Sequence, residues 1–166
     1  MDGGPRQSLW VVVALLERMP AGASFSRREW PAHVTLASNF VVVEPADEIA
    51  RAVASAIRGA WPLRVRFGGQ AMFGARHDVP VQLVESPEVV ALHDRLADLL
   101  ETFQGFAARD PRHWRRGYRP HMTHVPTLSV EAGDVRELRC IALAELVGST
   151  ATVAAAFDGS QPVSER

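Results

Sequence analysis

The same short pattern of histidine and threonine occurs once in each half of the chain, as His33-Val34-Thr35-Leu36 and as His121-Met122-Thr123. Side chains two apart on a strand emerge on one face, so each imidazole stands beside a hydroxyl while Val34 and Leu36 turn toward the core. An imidazole beside a hydroxyl, twice over, suits phosphodiester cleavage. One group takes a proton from the attacking oxygen, another gives a proton to the leaving oxygen, and donors hold the phosphate oxygens between them. Histidine serves either role because its unperturbed pKa of ~6.5 keeps both forms populated near neutrality. A single His-x-Thr carries little information, since a lone strand histidine is usually structural or solvated. The repetition carries the signal: both copies follow a proline and a loop bearing arginine and tryptophan.

The second of those loops, Arg112-His113-Trp114-Arg115-Arg116-Gly117-Tyr118-Arg119, is the densest basic and aromatic stretch of the chain. Guanidinium groups contact phosphates and aromatic rings stack on bases, so Arg116, Tyr118 and Arg119 are expected to bind substrate, joined by Trp30 from the first loop. Arg27 and Arg28 accompany Trp30. The alternative is a solvated polar loop.

The remaining histidines are weaker. His124 lies three positions after His121, so the two side chains point to opposite strand faces and chelate a metal poorly. A zinc site would need His77 or His113 to converge as well, and the chain has no closely spaced cysteine pair. His93 falls within an amphipathic helix pattern and reads as packing or surface, and His77 beside Asp78 as a loop residue. Gly68, Gly69 and Gly74 form no phosphate loop, because no lysine follows and no helix opens there. No Gly-x-Ser-x-Gly elbow occurs.

The formal net charge of −1 excludes a field that coats nucleic acid non-specifically, so any polyanion must meet a local patch. All basic residues are arginine, which removes lysine as nucleophile or Schiff-base former. The lone Cys140 sits in an apolar stretch and reads as buried and inert. The longest apolar run, Leu9 to Leu16, is too short to span a bilayer, and no leader pattern precedes it, so a cytoplasmic soluble protein is expected.

At 166 residues, with 47% hydrophobic residues, one domain over 1–166 is expected, with frayed termini at about 1–7 and 158–166. Leu9–Leu16 predicts a strand buried on both faces. Residues 17–32 form a long connection that could flank a cleft. Ile49, Val53 and Ile57 predict a helix over about 46–59. The alternation of Leu63, Val65 and Phe67 predicts a half-exposed strand ended by a turn at Gly68-Gly69, and 79–84 predicts another. Ser86-Pro87-Glu88 has the pattern of an N-cap, first-turn proline and early carboxylate, opening a helix with Val89, Leu92, Leu96, Leu99 and Phe103 on one face. After a loop at about 105–119 come the second motif, a short helix near 131–137 and strands at about 139–147 and 151–157. This order predicts a two-lobed α+β architecture.

With these residues in view, the chain resembles the 2H phosphoesterase superfamily, which includes 2'-5' RNA ligase-like proteins and 2',3'-cyclic phosphodiesterases. His33-Val34-Thr35-Leu36 matches the first motif of that family, and Tyr118-Arg119-Pro120-His121-Met122-Thr123 resembles its aromatic-x-Pro-His-x-Thr second motif. The resemblance implies two antiparallel sheets with flanking helices, related by a pseudo-twofold axis, and motifs facing each other across a central cleft. It implies His33 and His121 as the acid–base pair, Thr35 and Thr123 as phosphate-binding groups, and no metal or other cofactor. The implied partner is a nucleotide or RNA phosphodiester met by a monomer. Hydrolysis of 2',3'-cyclic phosphates, with ligation as its reverse, is the implied activity. Cleavage of 2'-5'-linked or cyclic oligonucleotides and binding without turnover are the alternatives. Two positions depart from the pattern: His124 follows Thr123 where an apolar residue is usual, and Pro126 stands where a basic residue is common.

Overall fold

The computed structural model describes residues 8–158. Ten strands and two helices run in the order β1 (Leu9–Leu15), β2 (Ser24–Ser26), β3 (His33–Val41), α1 (Ala46–Ala56), β4 (Leu63–Phe73), β5 (Val79–Val84), α2 (Pro87–Leu100), β6 (Ala107–Ala108), β7 (His121–Thr123), β8 (Val135–Leu138), β9 (Cys140–Val147) and β10 (Thr150–Asp158). They build two antiparallel sheets, one ordered β2-β10-β9-β1-β3-β6 and the other β7-β5-β4-β8. The α+β class and the two sheets with flanking helices are as expected, although the sheets are unequal, with six and four strands.

The central strands are apolar on both faces because both faces are covered. From β1, Trp10, Val12 and Ala14 join the main core, with Ile49 and Val53 of α1, Leu92, Leu96 and Leu100 of α2, and Leu63, Val65 and Phe67 of β4. The alternate residues Val11, Val13 and Leu15 join a second cluster with Cys140, Ala142, Ala144, Leu146, Ala151 and Val153. That cluster is roofed by Met19, Phe25 and Trp30 from the long 17–32 connection, which is why this connection is held on the sheet. Each fully buried Leu, Val or Phe contributes ~1.5–3 kcal/mol relative to exposure. Cys140 is buried at 2% exposure, as its apolar setting predicted.

Four local expectations are corrected. Residues 131–137 are not helical: a turn through Gly133, at φ 93°, leads into β8, which pairs with β4. Gly68-Gly69 does not end the strand but lies inside β4, where the register against β5 shifts between Phe67 and Gln70. There the Gly68 carbonyl accepts a hydrogen bond from the buried Gln82 amide. Ser86 occupies the N-cap position of α2, but its hydroxyl donates to the Glu88 carboxylate at 3.2 Å and caps no backbone amide. The long connection also contains β2, which pairs with β10. The expected fraying at 1–7 and 159–166 lies outside the described residues, whereas Asp158 ends β10 and pairs with Arg18 at 2.9 Å. Among the described residues no helix is long and apolar enough to cross a membrane.

Candidate active site

His33 opens β3 and His121 opens β7, each at the point where a loop enters a sheet. Alternation gives the expected sidedness: Val34 and Met122 are fully buried in the main core, while His33, Thr35, His121 and Thr123 face outward. Strands β3 and β7 lie against each other although they belong to different sheets. The two motifs therefore share one cleft.

Both imidazoles are held the same way. His33 Nδ1 lies 2.8 Å from the carbonyl of Pro31, and His121 Nδ1 lies 2.8 Å from the carbonyl of Arg119, in each case two residues earlier. A carbonyl can only accept, so Nδ1 carries the proton in both rings, which leaves Nε2 to accept a proton when the ring is neutral and to donate one when it is charged. Each ring also has an aromatic neighbour, Trp30 at 4.8 Å from His33 and Phe73 at 4.4 Å from His121 (centroid distances).

Burial lowers the pKa of His33 below its ordinary value, opposed by the Pro31 carbonyl and reinforced by the charge of His121. Burial likewise lowers that of His121, opposed by the Arg119 carbonyl and reinforced by His113 and Arg119. Both rings are thus poised toward the neutral form, and an anionic phosphate between them would favour protonation.

The cleft has two adjoining chambers. One, of about 350 Å³, is bounded by His33, Trp30 and Asn39 over a floor of Val11, Val13 and Leu146. The other, of about 520 Å³, is bounded by His121, Thr123, Phe73, Tyr118 and Arg119. Thr35, Ser38 and His113 line both, forming the neck between them. A further cavity bounded by Trp30, His33, Thr123 and His124 extends the cleft.

The arginine-rich loop contributes Arg112, His113, Gly117, Tyr118 and Arg119 to the wall of the larger chamber, and several of its side chains are also tied to the protein itself. Trp114 is buried, donating from Nε1 to Glu101 at 2.8 Å. Arg115 is bound to Asp98 and Glu101. Arg112 forks onto Asp110 at 3.0 Å. Tyr118 lines the larger chamber, but its hydroxyl donates to the Thr35 carbonyl at 2.7 Å and its ring stacks on His93 at 4.0 Å, so it ties the two motifs together. Arg119 lies 5.0 Å above the Phe73 ring on the chamber wall. Arg116 sits exposed on a 3-10 turn and lines neither chamber.

Ser38, Asn39, Phe73, Arg109 and Asp110 were not singled out by the sequence. Strict alternation from Thr35 would aim Ser38 at the core, but the β1–β3 register slips between Trp10 and Val13, and this irregularity turns Ser38 to the cleft. Phe73 reaches His121 only through the pairing of β4 with β5 and of β5 with β7. His124 contacts Gln82 at 3.3 Å, away from His121. Among the described residues, no three His, Cys, Asp or Glu side chains converge on a metal position.

Comparison with solved structures identifies the fold. E. coli LigT complexed with 3'-AMP superposes with a TM-score of 0.53 at 16% identity, over 93% of this chain and 99% of that one. A structure described as a phosphoesterase gives 0.54 at 17% over the same shares. E. coli LigT complexed with ATP gives 0.52 at 14%, again over 93% and 99%. No curated protein sequence matches the chain significantly. The family model described as the 2'-5' RNA ligase superfamily matches residues 5–160, nearly the whole chain, and the chain belongs to that family of two-histidine phosphoesterases.

Proposed function

We propose that the protein is a metal-independent phosphodiesterase that hydrolyses 2',3'-cyclic phosphates of nucleotides or RNA ends, with His33 and His121 as the acid–base pair. The observation that carries this reading is the matched tethering of the two imidazoles. Each spends Nδ1 on a carbonyl two residues back, and the two rings line adjoining chambers that meet at Thr35, Ser38 and His113. Nucleotide complexes of the similarly folded E. coli LigT, with 3'-AMP and with ATP, support a nucleotide as the ligand class.

In the proposed reaction a neutral imidazole takes a proton from water as its oxygen attacks phosphorus. The protonated imidazole gives its proton to the departing ribose oxygen, and a nucleoside monophosphate results. Thr35 and Thr123 donate hydroxyl hydrogen bonds to the non-bridging oxygens. Reversal, with a ribose hydroxyl as nucleophile, would join RNA ends. Turnover of a nucleoside 2',3'-cyclic phosphate should persist in EDTA, because every proton transfer is assigned to a side chain. Complete loss in EDTA, restored by a divalent ion, would sink the proposal.

A second reading is favoured by the two chambers on either side of the neck at Thr35 and Ser38. A substrate with a nucleoside on each side of its phosphate, such as a 2'-5'-linked or cyclic oligonucleotide, would use both. Trp30, Tyr118 and Arg119 would then contact the flanking nucleosides. Arg116, exposed outside both chambers, has less support as a substrate contact.

A further inference from the structure

His113 is a third imidazole at the neck of the cleft. It ends a short 3-10 turn, Pro111–His113, whose start is fixed by Asp110: the Asp110 carboxylate accepts from the Arg112 backbone amide at 3.1 Å. The turn is then locked from the far side. A Cβ at Gly117 would lie 1.8 Å from the Arg112 carbonyl oxygen, so only glycine allows the two consecutive turns to close on one another. The result is a half-exposed imidazole that borders both chambers, with Nε2 3.7 Å from the Asp110 carboxylate. That distance is too long for a hydrogen bond and leaves the carboxylate beside the ring.

Two observations converge on the same spot. His113 acts electrostatically on His121. Beside it on the neck the Ser38 hydroxyl is buried and has no hydrogen-bond partner among the described residues. Building on the phosphodiesterase reading of the cleft, we propose that His113, held by Asp110, is a substrate-contacting residue that donates to a non-bridging phosphate oxygen at the neck as a cation. The other charged and titratable groups lining the same chambers are Arg112 on its own turn, Arg27, Arg109 and His33 in the smaller chamber, and His77, Tyr118, Arg119 and His121 in the larger. Arginine on these walls is charged throughout the working range, so the switchable part of the neck charge is the histidines.

The test is the pH dependence of kcat/KM for a nucleoside 2',3'-cyclic phosphate, measured on wild type and on the His113→Ala, His113→Arg and Asp110→Asn variants. As pH rises, wild type loses both the catalytic acid and the His113 cation, so its alkaline limb should be steeper than a single ionisation. His113→Ala should lower kcat/KM about tenfold at the wild-type optimum, the scale of one charge-assisted hydrogen bond. His113→Arg should stay within about threefold of wild type with an alkaline limb of single-ionisation slope, because arginine keeps its charge. Asp110→Asn should resemble His113→Ala most closely on the alkaline side.

Binding is the independent measure. The His113 ring resonances, followed by NMR, should titrate at higher pH when 3'-AMP is added. An His113→Ala enzyme with wild-type kcat/KM and slope, or a His113 titration indifferent to 3'-AMP, overturns the proposal while leaving His33 and His121 untouched. A wild-type enzyme inert toward all phosphodiesters would instead remove the reading on which it rests.

Discussion

At the scale of single residues, the two imidazoles are alike in tether, aromatic neighbour and direction of pKa shift. The sign of those shifts has a kinetic consequence. Under the proposed reaction the base must be unprotonated and the acid protonated before substrate binds, so kcat/KM peaks between the two folded-state values. Burial holds both below the ordinary ~6.5. The maximum of kcat/KM is therefore expected on the acid side of about pH 6.5. The profile of kcat should lie at higher pH, because a bound anionic phosphate favours the imidazolium. Initial rates across pH at low and at saturating substrate measure both. A kcat/KM maximum above about pH 7.5 would contradict the burial argument. The placement of His33, Thr35, His121 and Thr123 at two adjoining chambers was legible because their spacing on a strand puts each imidazole and hydroxyl on one outward face. Ser38 was not, because a register slip between β1 and β3 decides which way it points.

At the scale of elements, α2 connects the motifs through His93. The ring is fully buried, its Nδ1–H donates to the Leu36 carbonyl at 2.7 Å, and its Nε2 accepts from the Arg115 amide at 3.0 Å. One face stacks on Tyr118, whose hydroxyl returns to the Thr35 carbonyl. Arg115, at φ 57°, occupies the left-handed region unusual for a side-chain residue, and its amide bond to His93 and its ion pairs to Asp98 and Glu101 hold it there. His93 thus links β3 to the loop that precedes β7. Its neutral form is required, since a protonated Nε2 could not accept the Arg115 amide, and burial lowers its pKa accordingly.

The linkage sign follows. With the folded value depressed, the unfolded chain takes up the proton first, so this contribution is intact above about pH 6.5 and is lost as pH falls through the folded value. Replacing His93 by Phe should cost about 2–4 kcal/mol near neutrality, because two buried backbone groups lose their partners. The gap between wild type and variant should narrow at about pH 5, which denaturant unfolding at the two pH values would reveal. A gap independent of pH would show that the imidazole contributes by shape alone. The helix pattern around Leu92 and Leu96 was readable from its spacing, and so was the burial of β1. The partnership of His93 was not, because it depends on where Leu36 and Arg115 arrive from distant parts of the chain. The failure at 131–137 has the same cause: β8 exists by pairing with β4, a contact that local propensity does not encode.

At the scale of the whole molecule, two sheets of unequal size bring one motif each to a shared cleft, and the rest of the chain serves that approach. The main core fixes β3 and β7 against each other, while the second cluster holds Phe25 and Trp30 over the outer face of the larger sheet, beside His33. The central claim is that the two histidines act as one catalytic unit from opposite sides of that cleft. It is tested most directly by kcat/KM for a nucleoside 2',3'-cyclic phosphate with wild type, His33→Ala and His121→Ala, each checked for native folding. Each variant is expected to lose about a hundredfold or more, the usual contribution of a positioned acid or base. A folded variant that keeps activity within a few-fold of wild type would contradict the pairing and remove that histidine from the chemistry.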